Sequence, residues 1–236
     1  MPSQDPGPPC VMTLDFPGPQ SRHRVRRLGL EATGADVIHL LDTARPRELT
    51  AGAYARALLR SAEPAGSRVT AIVTYCAAAP IARELARLLG GAGRGEPRLY
   101  AINPEESSMG LAVETLRSFL SAAGHDGPVA SPLTRTAIDG AADALLRAHL
   151  AAGGQAAPEV LRMAGELAAA QADWVSYLAA AGDESAPPTG AGEVHITSGD
   201  HACPPSCVAG HVVIGASTAE LFADRELVAA LLKEAT

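Results

Sequence analysis

Apolar and polar residues along this chain follow two rhythms. Short runs rich in β-branched residues alternate, in the first half and again near the end, with stretches whose apolar positions fall three and four apart. Residues 10–16, 36–41, 69–75 and 98–102 read as strands, and helices are expected over 47–60, 81–90 and 111–120. From about 126 to 185 only the helical rhythm is present, in segments 137–150, 158–167 and 168–181, punctuated by Gly153-Gly154 and Pro158. Strand patterns resume at 194–197 and 212–214, and a last helix is expected over 224–233. Strands alternating with helices predict an α/β fold, a parallel sheet covered by helices on both faces. Ligands of such sheets bind beyond the carboxyl ends of the strands, so Pro17-Gly18-Pro19-Gln20, Cys76 and Asn103-Pro104-Glu105 are expected on one rim.

The third strand runs into the following helix with almost no residues to spare. Tyr75-Cys76-Ala77-Ala78 occupies that turn, ahead of Pro80-Ile81 and the helical positions Leu85, Leu88 and Leu89. A strand that turns straight into a helix lifts the turn side chain above the sheet and aims free N–H groups at it. That is the design of a nucleophile elbow, usually spelled Gly-x-Ser-x-Gly. Here Thr74 and Ala78 stand at the glycine positions and Cys76 at the nucleophile position. The bland alternative is a buried cysteine at an ordinary strand–helix junction.

The chain has 236 residues and a formal net charge of −7, with 47% hydrophobic but only 3% aromatic residues. This allows one sizeable core of Ala, Leu and Val with an inserted subdomain. The acidic balance excludes a nucleic-acid binder, and Arg22, Arg24, Arg26 and Arg27 read as a solvated cluster. No apolar run reaches membrane-spanning length, and residues 1–9 read as a disordered tail without a signal-peptide core, so a cytoplasmic protein is expected. Cys10, Cys76, Cys203 and Cys207 then read as free thiols. Asp200, His201, Cys203 and Cys207 admit a zinc reading, but one Cys-x3-Cys around Pro204-Pro205 is a poor ligand frame, and no metal is assigned.

In the order of its parts the chain resembles the α/β-hydrolase thioesterases of polyketide and nonribosomal peptide biosynthesis. Phe16-Pro17-Gly18 is similar to the family's entry into the oxyanion loop, and Thr74–Ala78 with Pro80–Leu88 to its elbow and following helix. Gly153-Gly154, Pro158–Leu161 and Asp173-Trp174 with Tyr177 resemble the lid of the discrete members, and Ile214-Gly215-Ala216 with Leu227–Leu232 the last strand and helix. The resemblance implies an α/β-hydrolase fold, a mostly parallel sheet flanked by helices with a helical lid insertion. Its core would be 10–125 and 186–236, and its lid 126–185.

The resemblance also implies roles. Cys76 is the nucleophile, and Ala77 N–H with Gly18 or Gln20 N–H forms the oxyanion hole, because Pro17 and Pro19 have no N–H. Tyr75, Trp174 and Tyr177 line the substrate side. The family's histidine position holds Thr218, and no histidine lies between Gly215 and Thr236. His201, at the carboxyl end of a strand, is therefore the expected base, with Asn103 or Asp200 to orient it. His211 reads as structural, and His23, His39, His125, His149 and His195 as surface or packed residues.

The implied activity is processing of acyl or aminoacyl thioesters presented on the phosphopantetheine arm of a carrier protein, with no cofactor. An acyl-Cys76 intermediate would be released by hydrolysis, or by transfer or cyclisation onto an amine or thiol. The alternative is a catalytically degenerate thioesterase fold kept as a partner-binding scaffold, for which the missing histidine and elbow glycines speak.

Overall fold

The computed structural model describes residues 9–16, 24–62, 68–92, 96–129, 132–152, 158–190, 192–225 and 227–228. Most of the expected tail, and residues 226 and 229–233 of the expected last helix, lie outside them. The strands are β1 (Pro9–Leu14), β2 (Asp36–His39), β3 (Arg68–Tyr75), β4 (Arg98–Ile102), β5 (Glu193–Thr197) and β6 (Gly210–Val213). The helices are α1 (Leu40–Thr43), α2 (Ala51–Ala62), α3 (Ala79–Gly91), α4 (Met109–Ala122), α5 (Arg135–Ala152), α6 (Pro158–Ala181) and α7 (Thr218–Ala223). The strands form one sheet in the order β2-β1-β3-β4-β5-β6, and every neighbouring pair is parallel.

β3 lies inside the sheet, paired with β1 on one side and β4 on the other. Its run of Val69, Ala71, Ile72 and Val73 suits a strand covered on both faces. Successive side chains go to opposite faces. Met12, Leu14 and Ile72 enter the core beneath α2, α3 and α6, while Val11, Ala71, Val73, Tyr100 and Ile196 enter the core beneath Leu221 and Phe222 of α7. The expected strand over 36–41 ends at His39, where Leu40 and Leu41 turn inward as the first residues of α1 and bury in the larger core. Of the arginine cluster, Arg22 lies outside the described residues, and Arg24, Arg26 and Arg27 are more structured than expected. Val25 and Leu28 pin a short 3-10 helix into the core, and Arg26 pairs with Asp42 at the surface.

The two helices expected over 158–167 and 168–181 are one, because Ala168-Ala169-Ala170 gives no reason to stop. Its first half carries exposed Val160, Leu161, Met163 and Leu167. From Ala172 onward the helix is core, with Val175, Tyr177, Leu178, Ala179 and Ala180 buried among α2, α3 and α4. Polar ties fix this half. Arg47 donates to Asp173 at 2.8 Å and to Asp139 at 3.0 Å, and Asp183, just past α6, accepts the Ala51 N–H at the start of α2. No helix among the described residues is long and apolar enough to cross a membrane.

At the end of α6 the backbone passes so near α4 that a Cβ on Gly182 would lie 2.5 Å from Ser108 Cα and 2.8 Å from Met109 N. Gly182→Ala is expected to destabilise the fold by about 1–3 kcal/mol through overpacking. Gly140→Ala, in open space inside α5, is expected to stabilise it by about 0.5–1 kcal/mol. Thermal denaturation reads both, and Tm changes of opposite sign are the expected outcome.

Candidate active site

Cys76 is the first residue of a single 3-10 turn, Cys76–Ala78, that joins β3 to α3. Its backbone is left-handed, with φ +59°, and Cys76 and Asn103 are the only non-glycine residues with positive φ among those described. An L-residue there is held about 1–2 kcal/mol above its relaxed state. What holds it is local: β3 ends in ladder register with β4, Ala77 and Ala78 are buried, and Pro80 in the first turn of α3 starts the helix at once.

The half-buried thiol donates to a carboxylate. Cys76 Sγ donates to Glu105 Oε2 at 3.1 Å, and the Glu105 N–H donates to the Cys76 carbonyl at 3.3 Å. Glu105 is thus bound to the turn through both its backbone and its side chain. Burial first, and then the Glu105 carboxylate, push the Cys76 thiol up to about 12, against a lowering contribution from the Ala77 N–H. The thiol is therefore protonated at neutral pH. The hydroxyl of Tyr75 is also raised to about 12, by burial and then by Cys76, Glu105, Asp15 and Asp200. Burial raises Asp15 as well, although the Val25 N–H donates to its carboxylate. One carboxylate thus faces the thiol, and the charges of Asp15 and Asp200 act on the neighbouring Tyr75.

Asn103, at the end of β4, faces a different group. Its Nδ2 donates to Ser198 Oγ and to Thr218 Oγ1, both at 2.9 Å, and its Oδ1 accepts the Ser198 N–H at 2.9 Å. Asp200 joins this knot. The Ser198 hydroxyl, and then the Thr218 N–H and hydroxyl, hold its carboxyl below the usual carboxylate range. The positions that the resemblance gave to an acid and a histidine therefore meet as Asn103 and Thr218, with no imidazole between them.

His201, expected as the base, does not hydrogen-bond to Cys76. Its backbone N–H donates to the Ser198 carbonyl at 3.0 Å, and its Nε2 is buried without a hydrogen-bond partner among the described residues. Glu105 is the residue that reasoning from sequence missed. Asn103-Pro104-Glu105 follows β4 and Glu105 meets the turn after β3, but nothing in the sequence says which side chain of that stretch folds back over the turn. Of the oxyanion donors, the Ala77 N–H lies beside the thiol, whereas Gly18 and Gln20 fall outside the described residues. Tyr177 is fully buried and stacks on half-buried Trp174, with ring centroids 5.5 Å apart, and Phe16 packs on both rings. Tyr75 meets Phe222 edge to face.

Neither a model of a protein family nor a curated protein matches the sequence. Solved structures do. A holo four-domain nonribosomal peptide synthetase bound to AMP and glycine superposes with a TM-score of 0.50 at 12% identity, over 96% of this chain and 19% of that one. An α/β-hydrolase fold protein from Nakamurella multipartita gives 0.47 at 15% identity, over 97% and 92% of the two chains. The YbtT type II thioesterase of the yersiniabactin nonribosomal peptide and polyketide pathway gives 0.47 at 16%, over 99% and 94%. The chain spans only a fifth of the synthetase. The parallel sheet, its strand order and the left-handed turn after β3 define an α/β-hydrolase fold. At such identities the likeness is one of fold.

Asn103→Ala is expected to destabilise the protein by about 1–3 kcal/mol, because it leaves the buried Ser198 N–H without an acceptor. Urea denaturation measures it, and an unchanged midpoint would contradict the role given to this knot.

Proposed function

We propose that the protein is a thioesterase-like acyltransferase that acts on acyl or aminoacyl groups carried as thioesters on the phosphopantetheine arm of a carrier protein, through an acyl-Cys76 intermediate. The observation that carries this reading is the left-handed φ of a half-buried cysteine at the end of an internal strand, with a carboxylate held against its thiol. Strain at a single non-glycine residue, kept by its surroundings, is common where a side chain must be presented for chemistry.

The steps follow from the groups present. Cys76 Sγ attacks the thioester carbonyl, and its proton passes to Glu105 as the S–C bond forms. The carbonyl oxygen takes up negative charge beside the Ala77 N–H. The C–S bond to the carrier's phosphopantetheine then breaks, and Glu105 returns the proton to the departing sulfur. The acyl group remains a thioester, now on Cys76, and so stays activated toward an amine, a thiol or water. An attacking amine or water gives its proton to Glu105, which hands it back to Cys76.

Glu105 against the thiol, with the charges of Asp15 and Asp200 felt at the neighbouring Tyr75, favours an aminoacyl group with its ammonium over a simple fatty acyl chain. A cation there would also offset the charge that raises the thiol.

Intact-protein mass spectrometry after mixing with a glycyl- or acetyl-loaded carrier protein tests the reading. The wild type is expected to gain the acyl mass and Cys76→Ala to gain none; no adduct on the wild type would leave a scaffold. Glu105→Gln separates base from burial. Removing the carboxylate lowers the thiol pKa, since the negative charge that opposed the thiolate is gone. Alkylation by iodoacetamide at pH 8 should therefore quicken, while acyl transfer slows by about 10²–10⁴-fold. If both rates move the same way, Glu105 is not the base.

A further inference from the structure

At the β5–β6 edge of the sheet a second group of reactive side chains converges. His195 Nδ1 lies 3.3 Å from Cys203 Sγ and 3.3 Å from Cys207 Sγ. The rings of His195 and His211 meet edge to face, with centroids 5.3 Å apart. Taking one ligand atom from each of these four residues, all lie within 4.8 Å of one another. A tetrahedral zinc ion with sulfur at ~2.3 Å and nitrogen at ~2.0 Å spaces its ligand atoms ~3.3–3.8 Å apart. Little movement separates the observed cluster from that arrangement.

The surroundings are built for such an ion. His195 is 3% exposed, and its Nε2 lies 2.9 Å from Glu193 Oε1. A proton held on Nε2 by that carboxylate leaves Nδ1, the nitrogen facing both sulfurs, with its lone pair free, as metal-bound histidines require. Glu193 is itself buried and fixed by Arg83 at 2.8 Å and 3.3 Å.

The topology supplies a reason for a cross-link at this place. Parallel neighbours need a crossover, usually a helix that covers the sheet with an apolar face. Between β5 and β6 the chain makes only turns over 198–209, and Val208 there is 63% exposed. His195 and His211 are register partners on the two strands, and Cys203 and Cys207 reach back to them from the loop.

We infer that His195, Cys203, Cys207 and His211 bind one Zn2+ in a closed Cys2His2 site that pins the 198–209 connection to the sheet. The ion replaces the apolar packing that this crossover lacks, and through Ser198 and Asp200 it steadies the knot around Asn103. Four protein ligands leave no open position, so the site is structural rather than catalytic. The zinc reading weighed from the sequence had Asp200 and His201 in place of the two strand histidines.

The test is metal content of the full chain, purified under reducing conditions with zinc supplied. One zinc per chain is expected. Replacement by Co2+ should give the intense near-ultraviolet absorption of thiolate-to-cobalt charge transfer. His211 is exposed, so His211→Ala should keep the native circular dichroism while its zinc affinity falls by more than about 100-fold. The double variant Cys203→Ser/Cys207→Ser should lose the charge-transfer band, and Cys76→Ser should retain it. Three results would overturn the inference: no zinc and no cobalt spectrum in the wild type, equal affinity in the ligand variants, or a Cys203–Cys207 disulfide that excludes metal. Acylation of Cys76 is read separately, so failure of one reading does not carry the other with it.

Discussion

A cysteine with φ +59° at the carboxyl end of an internal strand can persist only if its neighbours leave it no other course. Here the constraint comes from three directions. The β3–β4 ladder fixes the residue before it, the buried alanines after it and Pro80 commit the chain to α3, and the Glu105 N–H grips its carbonyl. Each contact is ordinary. Together they turn a small unfavourable backbone energy into a fixed direction for one thiol.

Electrostatics then decides what that thiol can do. A helix N-terminus alone would lower its pKa, yet burial and Glu105 outweigh the Ala77 N–H and raise it. The site therefore holds a protonated thiol in contact with a carboxylate. Where the resemblance expects histidine, Thr218 bonds to Asn103 and the polar groups there satisfy one another. On the reading proposed for the site, the base is the carboxylate that contacts the thiol from the loop after β4 rather than an imidazole.

Much of the frame was legible because its causes are local. β-Branched runs marked the strands, and the shortage of residues between Tyr75 and Pro80 marked the sharp turn. Nonlocal pairing hid the rest. Glu105 matters because the loop after β4 folds over the turn, and His195 meets His211 because of a register between β5 and β6. Neither relation leaves a spacing in the chain. The boundary expected at 167–168 failed for the opposite reason, since a local preference for helix carried α6 through it.

The claim that organises the site is that acyl groups pass through the sulfur of Cys76, and locating the bond tests it most directly. The protein would be quenched in acid after brief exposure to an aminoacyl-loaded carrier protein, digested, and mapped by mass spectrometry with and without neutral hydroxylamine. The acyl group should map to the peptide that contains Cys76 and disappear on hydroxylamine treatment, as a thioester does. An adduct on another residue, or one on that peptide that survives hydroxylamine, would contradict the account.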